Sequence, residues 1–495
     1  MTRTHSPTHG RGLVLRIVAS LLAAAALTAL AVPASARALA IQDQSAQPSP
    51  GTGTTQAGQY TDFEIKIGFD SEHVENLRIG LPPGVVGNPG ATVKCTREQL
   101  EAASCPATSQ VGETSANATI TVVALPVTLD ISGKLYNLEP EPGEPARFGI
   151  VLTPVDLPDP LPDVLPPVIL ESAVELRKSD FGLDTIVEDI PNTTEGLPTH
   201  INSLSMTLYG EPPLGTGSFI RNPTSCGPAQ TRFTADPHES DVETIAFASY
   251  APTGCDQVPF TPGFTAQVGS PGQTAAGGHP SATTVISQTD EEAGLKRARV
   301  IMPTSLGADP DLLVDLCSRA AFAAHNCPPG TIVGSAVASS PLLTEALTGP
   351  VSVVEPSAPG LPSVGLDLTG PLAMQLLGDV VLDPAGGAGI EFAGLPDIPI
   401  ADFALTFSAD RLVVSSEDLC NGVPRTFKTE FEGHNGAIRS GPVNAAIKGC
   451  GPGGGKKAKS KRKCKAKKKS KGKARGKRKG KKRKPKCKRK KKKKR

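Results

Sequence analysis

The sequence predicts a mainly β protein made of two tandem antiparallel β-sandwich modules, each with a short disulfide-bounded helix, followed by a disordered basic tail. Three observations predict this fold class. Apolar and polar residues alternate, as from Phe63 through Ile65 and Ile67 to Phe69, which is typical of half-buried strands. Turn sequences separate these runs, in a chain with 47 Pro and 51 Gly. A cysteine pattern occurs twice.

The duplication lies in CTREQLEAASCPATSQVG, which starts at Cys95, and CSRAAFAAHNCPPGTIVG, which starts at Cys317. Both contain Cys, nine residues, Cys-Pro and a later Val-Gly. The downstream halves match too, because each ends in a cysteine pair that follows an alternating strand. Two local disulfides per module are the economical pairing: Cys95 with Cys105, Cys226 with Cys255, Cys317 with Cys327, and Cys420 with Cys450. A zinc site is the alternative, but no Cys-x2-Cys or clustered His accompanies these cysteines.

The short Cys95–Cys105 pair limits the helix between its cysteines. A continuous helix of ten residues would separate them by about 15 Å, whereas a disulfide needs Cα atoms within about 4.4–6.8 Å. The helix must therefore be short and the chain must fold back. Thr96 to Gln99 has the pattern of a capping box that starts this helix, and Pro106 cannot continue it.

The predicted organisation has six segments. A signal peptide covers 1–38, because arginines precede the apolar run Ile17 to Val32 and small-residue cleavage motifs follow at Ala36 and Ala38. A retained N-terminal anchor is the alternative. No later stretch is apolar enough to span a bilayer, so we expect no transmembrane span in the mature chain. The remaining segments are a linker at 39–53, β-module 1 at 54–258, a linker at 259–272, β-module 2 at 273–450 and the tail at 451–495.

Charge is distributed unevenly along the chain. Of 52 Lys and Arg, 29 lie between Lys456 and Arg495 and four arginines lie in the signal region, which leaves 19 in the body. All 48 acids lie between Asp43 and Gly449, so the body is strongly acidic and the tail strongly basic. The net charge of +4 is a cancellation between these two parts.

The tail predicts binding to polyanions. It is disordered by composition, and its 23 Lys and 6 Arg are mostly point charges rather than bidentate groups. We expect anionic cell-wall or envelope polymers as partners, with the acidic body or another copy of the chain as alternatives, and nonspecific nucleic acid in vitro. The polyanion-binding residues predicted here are Lys456, Lys457, Lys461, Arg462, Lys463, Lys467, Lys468, Lys469, Lys477, Arg478, Lys479, Lys481, Lys482, Arg483, Lys484, Lys488, Arg489, Lys490 and Arg495.

The order of these features resembles a tandem-repeat family of large secreted proteins from high-GC bacteria. The resemblance rests on alternating strands, a Pro-Pro-Gly turn at Pro82, Cys-x9-Cys-Pro with Val-Gly, and a late cysteine pair, and it covers nearly the whole body. It implies export and repetition, and it assigns no catalytic residue.

A search for catalytic and metal-binding patterns finds no converging set of residues. The histidines of the body occur singly, and no Gly-x-Ser-x-Gly occurs. Loop acids at 156, 159 and 163 and at 309, 311 and 315 lack EF-hand spacing. We therefore expect no cofactor, no metal and no enzymatic activity in an exported structural or surface-interaction protein, secreted or attached to the cell surface. The alternatives are a nonspecific polyanion or nucleic-acid binder acting through the tail, and a secreted carbohydrate-active enzyme or lectin, since two carboxylates at the right distance suffice for glycoside hydrolysis.

Overall fold

The structure is a computed structural model that describes residues 39–70, 72–154, 157 and 165–451. The predicted signal peptide at 1–38 lies outside the described residues, and so does the tail beyond residue 451. The proline-rich segment that begins at Leu157 also lies largely outside them. Within the described ranges, no helix is long and apolar enough to cross a membrane.

The described residues of the first half of the chain form fourteen strands. They are β1 (Ile41–Pro48), β2 (Phe63–Phe69), β3 (Val74–Gly80), β4 (Val86–Gly87), β5 (Gln110–Val122), β6 (Leu125–Asn137), β7 (Ala146–Pro154), β8 (Val168–Leu176), β9 (Leu183–Val187), β10 (Thr193–Thr194), β11 (Leu197–Leu208), β12 (Ile220–Arg221), β13 (Ala229–Pro237) and β14 (Thr244–Tyr250).

The second half forms a matching set of strands. They are β15 (Gly263–Val268), β16 (Ala282–Ser287), β17 (Leu295–Ile301), β18 (Leu306–Ala308), β19 (Ile332–Ser339), β20 (Leu347–Val354), β21 (Ser363–Leu368), β22 (Met374–Leu382), β23 (Ala388–Ala393), β24 (Asp402–Phe407), β25 (Val413–Ser415), β26 (Thr426–Gly433), β27 (Ile438–Asn444) and β28 (Ala446–Ile447). The helices are α1 (Arg97–Glu101) and α2 (Arg319–Ala323), with short 3-10 turns at Ala107–Ser109, Cys255–Gln257, Pro310–Leu313, Pro329–Thr331 and Leu419–Asn421.

Both halves build the same sheet. The first has the strand order β1-β2-β11-β5-β6-β7-β8-β9-β3-β13-β14, with β10 paired to β11 off this path. The second has the order β28-β15-β16-β24-β19-β20-β21-β22-β23-β17-β26-β27, in which β28 is an additional edge strand parallel to β15. Eleven positions correspond one to one. The two-stranded sheets β4-β12 and β18-β25 also correspond. The prediction of a mainly β protein with two antiparallel modules is therefore confirmed.

Each sheet curls round, so that its first strand lies next to strands at the opposite end of the same sheet. In module 1, Gln44 of β1 donates a side-chain hydrogen bond to the carbonyl of Phe247 in β14 at 3.2 Å. In module 2, the ring of Phe264 in β15 lies 6.2 Å from that of Phe427 and 6.1 Å from that of Phe431, both in β26. Because opposite ends of one sheet meet, each module encloses an apolar interior.

The structure corrects the two segments that the sequence assigns to linkers. The segment 39–53 contains β1, which pairs with β2, and 259–272 contains β15, which pairs with β16. β1 is largely polar or half-exposed and lies at a sheet end, so its sequence gives little strand signal. β15 does alternate, because Phe264, Ala266 and Val268 are apolar and pack into the core, and the assignment of 259–272 to a linker overlooked this short pattern.

The helices lie between the paired cysteines, as the spacing requires. The Thr96 hydroxyl accepts from the Gln99 amide at 3.3 Å, and the Gln99 side chain accepts from the Thr96 amide at 3.1 Å, which confirms the capping box. After five residues the chain turns back through Ala103 at φ +48° in module 1 and His325 at φ +55° in module 2. This reversal brings the Cα atoms of each cysteine pair to 5.4 and 5.3 Å.

All four disulfides connect the pairs expected from the duplication. They join Cys95 to Cys105, Cys226 to Cys255, Cys317 to Cys327, and Cys420 to Cys450. Cys95 packs with Leu100 and Leu138, and Cys317 packs with Phe322 and Val354. The disulfide and helix of each module therefore form a small apolar cluster separate from the main core.

The repeated Val-Gly motif marks a β-bulge. The register shifts between Gln110 and Gly112 where β5 meets β6, and between Ile332 and Gly334 where β19 meets β20. A Cβ on Gly112 would overlap the carbonyl oxygen of Thr207, and one on Gly334 would overlap that of Thr406. Glycine is needed here because the neighbouring backbone approaches too closely for any side chain.

The bulge glycines are expected to be sensitive to a single methyl group. Gly112→Ala and Gly334→Ala should each lower the free energy of unfolding by about 1–3 kcal/mol through overpacking, measured by urea denaturation. The matched control is Gly441→Ala in β27, where a Cβ meets open space. An equal effect of all three substitutions would contradict the steric explanation.

Non-reducing peptide mapping of the purified protein should recover the same four local disulfides. Detection of a disulfide between the modules would show that the repeat does not set the pairing.

Replacing Cys95 and Cys105 together by Ser should lower the free energy of unfolding by about 2.5–3 kcal/mol, because a loop of ten residues is released in the unfolded chain.

Candidate functional site

An apolar cavity of about 220 Å³ lies between the two modules, which belong to one compact unit. Module 1 contributes Leu176 from β8 and Leu183 from β9. Module 2 contributes the larger share of the lining, including Val300 from β17, Met374 from β22 and Phe403 from β24. The cavity is therefore bounded by both sheets.

The lining follows the alternation of the strands. In β22, Met374 and Leu376 line the cavity, whereas Leu377 packs on the other face against the helix cluster of Cys317. In β19, Ala338 lines the cavity and its neighbour Val337 is 39% exposed. Since successive strand residues point to opposite faces, the same sequence period forms the cavity wall and the outer surface.

A buried carboxylate joins the modules beside the cavity. Asp397 is 6% exposed and Thr224 of module 1 is 1% exposed. The Thr224 amide donates to Asp397 Oδ2 at 2.7 Å, and its hydroxyl donates to Oδ1 at 2.5 Å. The same hydroxyl accepts from the Gly294 amide at 3.2 Å. Both oxygens of the buried carboxylate thus accept a hydrogen bond from module 1, as a buried charge requires.

The Asp397 segment also forms part of the cavity wall. Leu395, Pro396, Ile398 and Ile400 line the cavity, while Asp397 between them is held by Thr224. The Thr224–Asp397 contact therefore joins the two modules and also fixes the position of a segment that lines the cavity.

A second buried carboxylate, that of Glu292, holds the chain segment that links the two modules in place. Glu292, which is 5% exposed, accepts hydrogen bonds from the Thr261 amide at 3.0 Å and the Thr261 hydroxyl at 2.8 Å. Nearby, the Arg221 guanidinium donates to the Asp290 carbonyl at 2.9 Å. The Thr261 bonds hold the segment after the Cys226–Cys255 disulfide against module 2, and the Arg221 bond attaches β12 to the same part of module 2.

A polar depression of about 700 Å³ lies in module 1 and contains Arg78, Arg177 and Arg232. Arg177 pairs with Asp184 at 2.6 Å and with Asp180 at 2.9 Å. Burial lowers the pKa of Arg177, but its hydrogen bonds with these two carboxylates outweigh that effect and place the pKa above its ordinary value. Arg78 and Arg232 also pair with carboxylates. The cations are thus neutralised within the protein, which weakens the depression as an anion site.

Among the described histidines, His73 lies near two others. Its ring centroid is 5.4 Å from that of His200, and its carbonyl accepts a hydrogen bond from the His238 amide at 2.8 Å. Burial and the proximity of His73 lower the pKa of His200. His73 pairs with Glu239, and His325 pairs with Asp367 at 2.6 Å. Burial raises the pKa of Glu239, but its hydrogen bonds from His73 outweigh this and lower it. The first pair joins two loops of module 1, and the second joins the turn after α2 to β21.

The sequence offered two groups of loop acids as candidate metal ligands, and the structure describes the second group but not the first. Asp156, Asp159 and Asp163 lie outside the described residues. Asp309 caps the 3-10 turn Pro310–Leu313 by accepting from the Asp311 amide at 3.0 Å. In the part of the chain that the structure describes, no three His, Cys, Asp or Glu side chains are placed to hold a metal ion. The predicted polyanion-binding residues, from Lys456 to Arg495, all lie outside that part.

Sequence reasoning missed the cavity and the Thr224–Asp397 contact. The sequence LPDIPI from Leu395 to Ile400 could have indicated the contact, since it places one acid within an apolar run. An acid in such a position needs a buried partner. The sequence does not indicate which residue of the other module supplies that partner.

No family model matches the chain, and no curated protein matches it in sequence. Among solved structures, it is similar to the C-terminal domain of the Streptococcus pyogenes antigen I/II-family protein AspA, at 8% identity and a TM-score of 0.19, over 83% of this chain and 100% of that one. A putative membrane anchored protein from Corynebacterium diphtheriae matches at 7% identity and a TM-score of 0.17, over 82% of this chain and 89% of that one. Such low TM-scores establish neither a common fold nor a function.

Removal of the buried carboxylate should weaken the junction between the modules. Asp397→Ala leaves the Thr224 amide and hydroxyl without their acceptor, so the free energy of unfolding should fall by about 2–3 kcal/mol, measured by urea denaturation. The matched control is Asp402→Ala, because Asp402 is an exposed acid at the start of β24. A similar small effect at both positions would show that the Asp397 contact does not join the modules.

Proposed function

We propose that this protein is exported and is held on an anionic cell-envelope surface by its polybasic tail, with no enzymatic activity of its own. The observation that carries the proposal is the separation of charge: 29 basic residues and no acid in the last forty residues, after a body with 48 acids and 19 basic residues. A polycation binds a polyanion by releasing condensed counterions, and this requires no fixed geometry.

The attachment point of the tail supports this proposal. Cys450 is bonded to Cys420, and β28 pairs in parallel with β15 just before it. The Lys448 amide also donates to the Val268 carbonyl at 2.8 Å. Residue 451 therefore leaves the body from a segment that is fixed covalently and by backbone hydrogen bonds, so a force on the tail is transmitted to the folded modules.

The composition of the tail favours a general anionic surface over a specific sequence or ligand. Lys exceeds Arg by 23 to 6, and the last forty residues contain no aromatic residue. Point charges without stacking groups do not read nucleic-acid bases. Binding of the tail to the acidic body, or to that of a second copy, is the competing use of the same charge.

Deletion of residues 456–495 should release the protein from cells into the medium. Retention of the full chain should fall steeply with salt, because each neutralised anion contributes to counterion release. Cell fractions and medium are compared by immunoblot across a salt series. A variant with the same forty residues in scrambled order is the matched control, and it should be retained like the natural chain.

Two results would contradict this proposal. Retention of the tail-less protein would place the attachment on the β-modules, and loss of retention on scrambling would indicate a specific contact. If the tail instead neutralises its own body, salt should change the hydrodynamic radius of the purified protein and leave its cell association unchanged.

A further inference from the structure

We propose that the cavity between the modules is a binding site for an alkyl chain. This binding activity is independent of the tail, since every residue that carries it lies in the two β-modules.

The chemistry of the lining excludes a charged ligand group from the cavity. Among the 44 described residues that line it there is no Asp, Glu, Lys, Arg or His, and the hydroxyl side chains are Thr185, Thr284, Ser339 and Ser340. The Ser340 hydroxyl already donates to the Pro399 carbonyl at 2.8 Å. A ligand inside the cavity gains almost nothing from polar groups, so it must be apolar itself.

Several large aliphatic side chains in the lining are half-buried although they face inward. They include Leu176, Val300, Met374, Leu376 and Ile390. Protein interiors normally fill such space at close packing, and an inward side chain that stays accessible loses contacts on one side. A ligand that fills this space would restore these contacts and take its own apolar surface out of water, without displacing any charged group.

The size of the cavity suits one chain rather than a large ring system. An apolar interior cavity of about 150 Å³ stays dry and takes up benzene, which has six carbon atoms. Scaled in proportion, about 220 Å³ has room for roughly nine carbon atoms. The polar end of such a ligand would remain outside the lining, which offers no charged partner for it. Free single-chain amphiphiles and membrane lipids both supply an alkyl chain of this kind.

The test uses the full-length, disulfide-bonded protein and isothermal titration calorimetry with hexanol, octanol, decanol and dodecanol. Binding should be saturable, and affinity should rise about fourfold for each added methylene until roughly nine carbons are inside. Absence of saturable binding, or an affinity that does not depend on chain length, would overturn the proposal.

A matched pair of variants locates the site. Ala338→Phe fills the cavity and should abolish binding, whereas Val337→Phe on the outer face of the same strand should bind like the natural protein. Met374→Gln places an amide in the lining without filling it and should weaken binding at least tenfold. Circular dichroism and thermal melting identify any variant that fails to fold. Equal binding by all folded variants would refute this location.

Transfer of a tritium-labelled phosphatidylcholine from neutral vesicles distinguishes the two sources of the chain. Neutral vesicles are used so that the basic tail makes no charge contribution. Transfer that Ala338→Phe blocks would identify membrane lipid as the source, and decanol binding without transfer would identify a free amphiphile. If neither decanol nor lipid binds, the cavity is not an alkyl-chain site.

Discussion

The hydrogen bonds between Asp397 and Thr224 determine how the two modules are joined. A carboxylate that is 6% exposed is unfavourable unless its oxygens are paired, and here both oxygens accept from one residue of the other module. The lining residues Leu395 and Ile398 flank Asp397. The modules therefore cannot separate at this point without exposing apolar side chains and leaving a buried charge unpaired, so the junction and the cavity depend on the same contact.

The local features of each module could be predicted because they depend on residues close in sequence. The capping box at Thr96, the reversal of the chain before Cys105 and the four cysteine pairs all follow from spacing and duplication. Strands with an apolar face, such as β2 and β26, were also readable from their alternation. The Val-Gly motif could be recognised as repeated, but its role as a bulge depends on the carbonyl of a distant strand.

The features that could not be predicted depend on long-range packing. β1 lies in a segment assigned to a linker because its pairing with β2, rather than its side-chain pattern, defines it as a strand. The Thr224–Asp397 pair is separated by 173 residues, so no local pattern could identify it. The cavity is lined by strands of both modules, so no single segment of the sequence could predict it.

Two proposed activities reside in one chain. The tail would provide attachment through charge, whereas the modules provide a shaped apolar space that charge does not reach. The disulfide between Cys420 and Cys450 lies where these parts meet, and it gives the tail a firm origin on the folded body.

The central claim is that the two modules together enclose a dry apolar cavity. A crystal structure of the disulfide-bonded protein under xenon pressure tests it most directly, because xenon occupies apolar cavities that water does not fill. The account predicts xenon density between Leu176 of module 1 and Met374 of module 2. Ordered water at that position, or side chains of the two modules packed into the same space, would contradict it.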